Sequence, residues 1–512
     1  YPMNKILFAL HHWAQQAPNK VALVGLDHHE QPYQLSYAEL WQQVQQTSEQ
    51  LKALNITSLA LRAENSLYWA IIDLAAIHAG AVVVPVPTFF SEQQVLHTLE
   101  QSDVDALIGD WTTIRSDALQ ALGVQISTPE YLVNLPVYRR ASTAQHAYLA
   151  GTGKITFTSG STGQPKGVCL SHEHISIVAQ SLADCVNGIA ETHLVLLPLS
   201  TLLENITGIY VPILLGATSH ILPGQRTGLM GSSQFDPQRF AQTLAIIQPE
   251  SLVLTPALLL ALIHVAKLQP ALVTSLTFVA VGGARVSSQL IQAAHALGIP
   301  AFEGYGLSEC GSVVCLNTPA SMKAGSCGKP LPHSEVRIAE DGELLVKGNV
   351  ALGYLNEPFQ SEWLATGDLA QMDEQGFITL SGRKKNLIVT AYGRNISPEW
   401  IESEALALLP MTPLIITGDG EQALCAVVRN TEDVLNKVTQ LNALLPDYAR
   451  IRTLLLLENP NAIPYWYTDN GKVKRNEVEA TVKQLLESHG GLSLAGQSIE
   501  RIDLPFSHPI SA

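Results

Sequence analysis

Short apolar runs alternate with helix-length segments through the first two thirds of the chain, and this alternation restricts the fold more than any other feature. The runs SLALRA (58–63), VVVPV (82–86), DALIGD (105–110), HLVLLPL (193–199), ATSHIL (217–222), SLVLTP (251–256) and LTFVAVGG (276–283) each have strand length. Between them lie helical patterns such as the apolar LYWAIIDLAAIHAGA. Strand–helix alternation of this kind builds α/β layers with largely parallel sheets. Ligands in such folds usually sit in the loops that follow the strands.

The pattern changes near residue 335. EVRIAEDGELLVKG sets Asp341 and Gly342 between alternating runs, a hairpin signal, and ATGDLAQMDEQGFITLSGR repeats it with Gln375 and Gly376. A small antiparallel β-rich subdomain is predicted over about 325–383. Beyond it the pattern is mixed. SPEWIESEALALL reads as an amphipathic helix with Ser397 as its cap and Pro398 at its first position. ALCAVVR (423–429) reads as a strand and RNEVEATVKQLLES (475–488) as a helix. The 512 residues exceed one typical domain. They divide into a large N-terminal unit, 1–383, a small α+β unit, 384–489, and a peripheral tail, 490–512.

A net charge of −15 argues against a nucleic-acid partner. The six cysteines are scattered with no metal-binding spacing, as expected of inert thiols in a reducing compartment. No window approaches the roughly 18 uninterrupted apolar residues that cross a bilayer. The longest, LVLTPALLLALIHVA, contains Pro256 and His264. The opening YPMNKILFALHHWAQQ lacks the apolar core of a secretory signal. A cytoplasmic protein with no transmembrane segment is expected.

Residues 155–167 read ITFTSGSTGQPKG. Gly160, Gly163 and Gly167 lack a Cβ, so the backbone can turn tightly and approach a ligand. Successive N–H groups can then form an anion nest. The hydroxyls of Thr158, Ser159, Ser161 and Thr162 add donors, and Lys166 adds a full charge. By composition alone an anion site and an ordinary flexible loop are both open. The stretch is not a Walker A loop, because Pro165 precedes Lys166 and Gly167 follows it.

TSGSTGQPKG closely resembles the phosphate loop of the adenylate-forming superfamily: acyl- and aryl-CoA synthetases, nonribosomal adenylation domains and luciferases. Further motifs follow in the family order: GYGLSE (304–309), TGD (366–368), GRKKN (382–386) and NGKVKR (470–475). They resemble, in turn, its adenine/magnesium, ribose, hinge and catalytic-lysine motifs. The resemblance implies a large N-terminal domain and a small mobile C-terminal one. It also implies that ATP activates a carboxylate to an acyl-adenylate, releasing pyrophosphate, before a thiol attacks. The loop from Thr158 through Gly160 and Gly163 to Lys166 would hold the outer phosphates. Glu309 would coordinate Mg²⁺, a hard ion suited to carboxylate and phosphate oxygens. Tyr305 would pack on adenine against a backbone wall of Gly282, Gly283 and Ala284. Gly306 and Ser308 complete that motif, Ser308 standing where threonine is usual. Asp368 would accept the ribose hydroxyls, and Arg383 would contact ribose or phosphate. Lys472 would offset charge on the reacting carboxylate and α-phosphate. Lys385 matches the hinge position, and Gly393 would face the thiol channel in a second domain orientation. Lys472, Glu309 and Lys166 are the expected catalytic group.

The acid is read from LPLSTLLENITGIYVPILLGA (197–217). It resembles the corresponding segment of long-chain acyl-CoA synthetases, with Glu204 in place and Thr201 where histidine is familiar. The Phe-Asp-x-Ser stretch of amino-acid-activating domains is missing. IYVPILLG and LTPALLLALIHVA are either tunnel lining or ordinary core. A fatty or otherwise apolar acid is expected, with coenzyme A (CoA) as acceptor. The alternatives are loading of an acyl-carrier protein, or activation of an aryl or amino acid.

Overall fold

A computed structural model describes residues 4–141, 148–158, 164–231, 234–410, 412–468 and 471–505. Each apolar run read from the sequence forms a strand. Ser58–Arg62, Val82–Pro85 and Ala106–Gly109 join one nine-stranded sheet, and Thr192–Val195, Thr218–Ile221, Ser251–Leu254 and Phe278–Val281 join another. These central strands pair in parallel. Antiparallel strands border them, including Pro32–Ser36 on Val21–Leu26 and Leu135–Arg139 on Ala106–Gly109. The helix Leu67–Ala79 is buried along most of its length, which explains why its sequence is apolar on every side. Its ends are set locally: the Ser66 hydroxyl accepts from the Trp69 N–H, and Gly80 closes the helix at φ 75°.

A four-stranded antiparallel sheet follows, from Ser334–Ile338 to Ile378–Arg383. Its hairpins turn at Gly342 and Gly376, both in the left-handed region. A single 3₁₀ turn, Lys384–Asn386, leads into a five-stranded sheet with helices Pro398–Leu406, Val434–Leu444 and Arg475–Glu487. Ser397 occupies the N-cap of the first helix, yet its hydroxyl makes no capping bond there.

Within the segment 490–512, expected to be a peripheral tail, residues 492–503 are instead built into this sheet. Gln497–Asp503 pairs antiparallel with the buried strand Ile451–Leu457 and covers it with Ile499. Leu492–Leu494 folds back on it through Ala495 and Gly496, both at positive φ. The sheet edge would otherwise expose unpaired backbone groups. Among the described residues, no helix is long and apolar enough to cross a membrane.

Candidate active site

The strands Thr152–Thr158 and Lys166–Ser171 form a hairpin whose register sets Thr158 opposite Lys166. Ser159, Gly160, Ser161, Thr162 and Gly163, at its tip, lie outside the described residues. Lys166 is exposed at the hairpin mouth, its Nζ 5.0 Å above the centre of the Tyr354 ring. The Tyr354 hydroxyl donates to Glu309 Oε2 at 3.4 Å. Glu309 sits in the short turn Ser308–Cys310, just beyond the strand Ala301–Tyr305. The chain reaches that turn through Gly306, where a Cβ would fall 1.4 Å from the Ser312 carbonyl oxygen, so only glycine fits.

Tyr305 and Asp368 meet at the same place. The Tyr305 hydroxyl donates to Asp368 Oδ2, and Arg383 Nη1 lies 2.6 Å from Oδ1. Asp368 and Arg383 are direct register partners on adjoining strands. Burial, then the Asp368 charge, raises the Tyr305 phenol well above its usual range, so it remains a donor. Burial also raises the Glu309 pKa, while the Tyr354 bond and Arg383 oppose the rise. Gly282, Gly283 and Ala284 follow the strand Phe278–Val281, beside the strand that carries Tyr305. Gly283 holds φ 93° with nothing within 4 Å of a would-be Cβ.

Lys472 comes from the other end of the chain. Its backbone N–H donates to Thr468 Oγ1 at 3.1 Å, and its carbonyl accepts from the Thr468 N–H at 2.7 Å. The side chain is exposed, yet protein crowded around the amine lowers its pKa, and the charges of Lys385 and Arg383 lower it further. Lys166, through Tyr354, is thus linked to Glu309, and Tyr305, Asp368 and Arg383 are joined by direct contacts, while Lys385 and Arg383 lie within electrostatic range of Lys472. Gly393 stands apart, exposed at φ 76° with no atom within 4 Å of a would-be Cβ.

A cavity of ≈ 270 Å³ opens beside this cluster, at Gly282, Gly283 and Gly304–Ser308. It runs along the sheet to Thr192, Ser251 and Phe278, the first residues of three parallel strands. At about 3.3 Å per residue, that path is roughly 10 Å long. Leu182 and Val186 roof it from one helix, Val211 and Leu215 from another. IYVPILLG thus does line a cavity. No residue of LTPALLLALIHVA does, because the helix Pro256–Leu268 packs Leu259, Leu262 and Ala266 into a separate core. Glu204 is fully buried, accepting from the Leu196 N–H and the Thr207 hydroxyl. The Thr201 hydroxyl is held by the Pro198 carbonyl at 2.7 Å.

Three features escaped the sequence reading. Tyr354, between Lys166 and Glu309, comes from a stretch with no motif spacing of its own. Arg285, just past the Gly283 turn, reaches helix Pro398–Leu406, with Nη1 2.8 Å from Glu404 and 2.7 Å from the Ser403 hydroxyl. Lys154 is fully buried, its Nζ 2.8 Å from both Asp73 Oδ1 and the Tyr210 hydroxyl, with Asn205 also in reach. Asn205 and Tyr210 are five residues apart across a π-turn, Ile206–Tyr210, which brings both to Asp73. Only a charge inside the apolar runs signalled this cluster in advance.

The family profile described as AMP-binding enzyme matches residues 10–355. The long-chain-fatty-acid–CoA ligase FadD15 of Mycobacterium bovis is 30% identical over 447 residues, 73% of this chain and 74% of its own. A 2-succinylbenzoate–CoA ligase of Bacillus cereus is 30% identical over 405 residues, 73% and 78% of the two chains. The solved structure of O-succinylbenzoate coenzyme A synthetase (MenE) from Bacillus subtilis, in complex with ATP and magnesium ion, gives a TM-score of 0.71 at 24% identity. It covers 92% of this chain and 98% of its own.

Proposed function

This chain belongs to the AMP-binding enzyme family, as an AMP-forming acid–thiol ligase, and from that premise we propose that it joins an apolar, chain-like carboxylic acid to coenzyme A. The observation that carries the reading is the grouping of Lys166, Glu309, Asp368 and Arg383, with Lys472 in electrostatic range, beside an apolar cavity lined by Tyr305 and Ser308.

The chemistry brings together two anions, a carboxylate and the α-phosphate of ATP, so it needs neutralisation and alignment rather than a protein nucleophile. Lys166 faces the outer phosphates from the hairpin mouth. Asp368 retains lone pairs beyond those used by Arg383 and Tyr305, and these accept the ribose hydroxyls. Adenine enters between Tyr305 and the Gly282–Ala284 turn. Lys472 offsets charge where the new bond forms. Glu309, half-buried and held from another residue by a long hydrogen bond from Tyr354, fits a magnesium site of one carboxylate completed by substrate phosphates. Bound there, the ion would screen phosphate charge and stabilise the departing pyrophosphate. Lys472 and the phosphate hairpin lie on opposite sides of the 384–386 turn, so the C-terminal unit moves between the two half-reactions. The Arg285–Glu404 pair holds the orientation seen here.

Among the described residues lining the cavity there is no lysine or arginine. A second carboxylate, as on the succinylbenzoate named for the Bacillus relative, would be desolvated there without a lysine or arginine to pair with. An uncharged hydrocarbon tail meets no such cost. Pyrophosphate release screened over fatty, aryl and amino acids, with CoA and with a carrier protein, tests this directly. Turnover confined to amino acids sinks the reading, and turnover on a carrier protein with none on CoA replaces the acceptor.

Ala280 faces the cavity midway along its strand. Ala280→Phe is expected to shorten the preferred acid, lowering kcat/KM by about fourfold for each methylene excluded. A series of saturated acids of increasing length reads this out, and an unchanged length profile counts against the cavity as the acyl site.

The Lys472 ammonium is the active form, and its pKa is depressed. Its charge is therefore present at low pH and lost as pH rises through a value below that of ordinary lysine. The kcat/KM for adenylation is expected to fall on the alkaline side over that range. Lys472→Arg, always charged, is expected to remove the decline at some cost in rate.

A further inference from the structure

We infer that Tyr354 is a positioning residue for the ATP-dependent step, its ring seating the Lys166 ammonium while its hydroxyl orients the Glu309 carboxylate. One side chain thereby sets the spacing between the group facing the outer phosphates and the group that would take magnesium. The inference rests on the roles given to Lys166 and Glu309 above.

Both contacts come from one rigid segment. The Ala351 N–H donates to the Glu309 carbonyl at 2.8 Å, the Leu352 N–H to the Cys169 carbonyl at 2.9 Å, and the Leu355 N–H to the Gly167 carbonyl at 3.0 Å. Tyr354 itself lies in register with Val168, two residues beyond Lys166. The short segment 351–355 is thus tied by its backbone to the phosphate hairpin on one side and to the Glu309 turn on the other. Phe359 meets the Tyr354 ring edge-on at 5.2 Å and 89°, which restrains its orientation. An ammonium over a tyrosine face is attracted by the ring quadrupole, whatever its other partners. The hydroxyl bond to Glu309, at 3.4 Å, lies at the loose end of hydrogen bonding, so it orients the carboxylate while leaving most of its lone pairs open. A tyrosine phenol is a donor at neutral pH, well below its ordinary titration range. No other residue touches both Lys166 and Glu309 among the described contacts.

The two functions of the side chain separate by substitution. Binding of α,β-methylene-ATP, which cannot be turned over, is measured calorimetrically with Mg²⁺ and with EDTA. Tyr354→Phe keeps the ring, so it is expected to bind as the parent does in EDTA, but to lose about two- to tenfold of the gain from Mg²⁺. Tyr354→Leu also removes the ring, so it is expected to weaken binding in EDTA by about two- to fivefold as well. Equal weakening by both variants in both conditions means general packing and overturns the inference, as does no change in either. If the leucine variant does not fold, the phenylalanine variant decides alone. Lys166→Ala and Glu309→Gln separate this outcome from failure of the underlying roles. Effects in those two with none at Tyr354 sink only the inference, whereas no effect in them sinks the roles.

Discussion

Lys472→Ala is expected to slow acyl-adenylate formation by about 10²–10³-fold, the usual cost of removing one group aimed at transition-state charge. Thioester formation from supplied acyl-adenylate and CoA is expected to stay within a few-fold of the parent. Two features make the split informative. The side chain is exposed, so its loss has little effect on stability. It also belongs to the unit beyond the 384–386 turn, which on the proposed function leaves the site after adenylation. ATP–pyrophosphate exchange measures the first half-reaction, and CoA consumption with pre-formed adenylate the second. Equal loss in both would place Lys472 in folding or in both steps, and no loss in the first would remove it from the chemistry.

Asp73→Ala is expected to destabilise the N-terminal unit by about 3–5 kcal/mol, the range for removing one partner of a buried ion pair. Asp73 and Lys154 are both fully buried, and Asp73 also accepts from Asn205 Nδ2 at 3.0 Å and from the Tyr210 hydroxyl at 2.5 Å. The truncation removes the acceptor of Asn205 Nδ2 and the Tyr210 hydroxyl and leaves the Lys154 amine only the uncharged oxygens of Asn205 and Tyr210. Burial already lowers the Lys154 pKa against the pull of Asp73, so removal of Asp73 is expected to lower it further. Asp73→Asn combined with Lys154→Met keeps the volume, removes both charges and is expected to recover part of the loss. Trp69, fully buried on the same helix, provides the fluorescence signal for urea unfolding. A loss below about 1 kcal/mol would mean that water or rearranged side chains satisfy the cluster.

Lys154 lies on the strand leading into the phosphate hairpin, and Tyr210 ends the π-turn that precedes cavity-lining Val211. The buried cluster therefore ties the strand Thr152–Thr158 to the wall of the cavity. Loss of stability at Asp73 is expected to be accompanied by weaker use of both substrates.

The parts of this protein legible in the sequence are those set by local pattern. Parallel strands buried on both faces need continuous apolar runs, so the central strands of both large sheets stand out one by one. Hairpins turning at Gly342 and Gly376 declare themselves because few residues other than glycine tolerate that backbone. The glycine-rich stretch before Lys166 and the strings around Glu309, Asp368, Arg383 and Lys472 stand out as well, since each is short and contiguous. The strand Gln497–Asp503 was not, because its polar, edge-facing residues show no core pattern until Ile451–Leu457 is beside it.

By itself, then, the sequence determined the α/β layering, the order of the motifs and the class of reaction, all of which follow from residues adjacent in the chain. The tertiary structure alone decided which of them touch. It set Tyr354 between Lys166 and Glu309, joined Arg285 to Glu404, and brought Asp73, Lys154, Asn205 and Tyr210 into one buried cluster. It also sent Val211 and Leu215 to the cavity but Leu259 and Leu262 to the core. Apolar side chains carry no label for the surface they will meet, and contacts between residues far apart in sequence are settled only when whole sheets and helices pack.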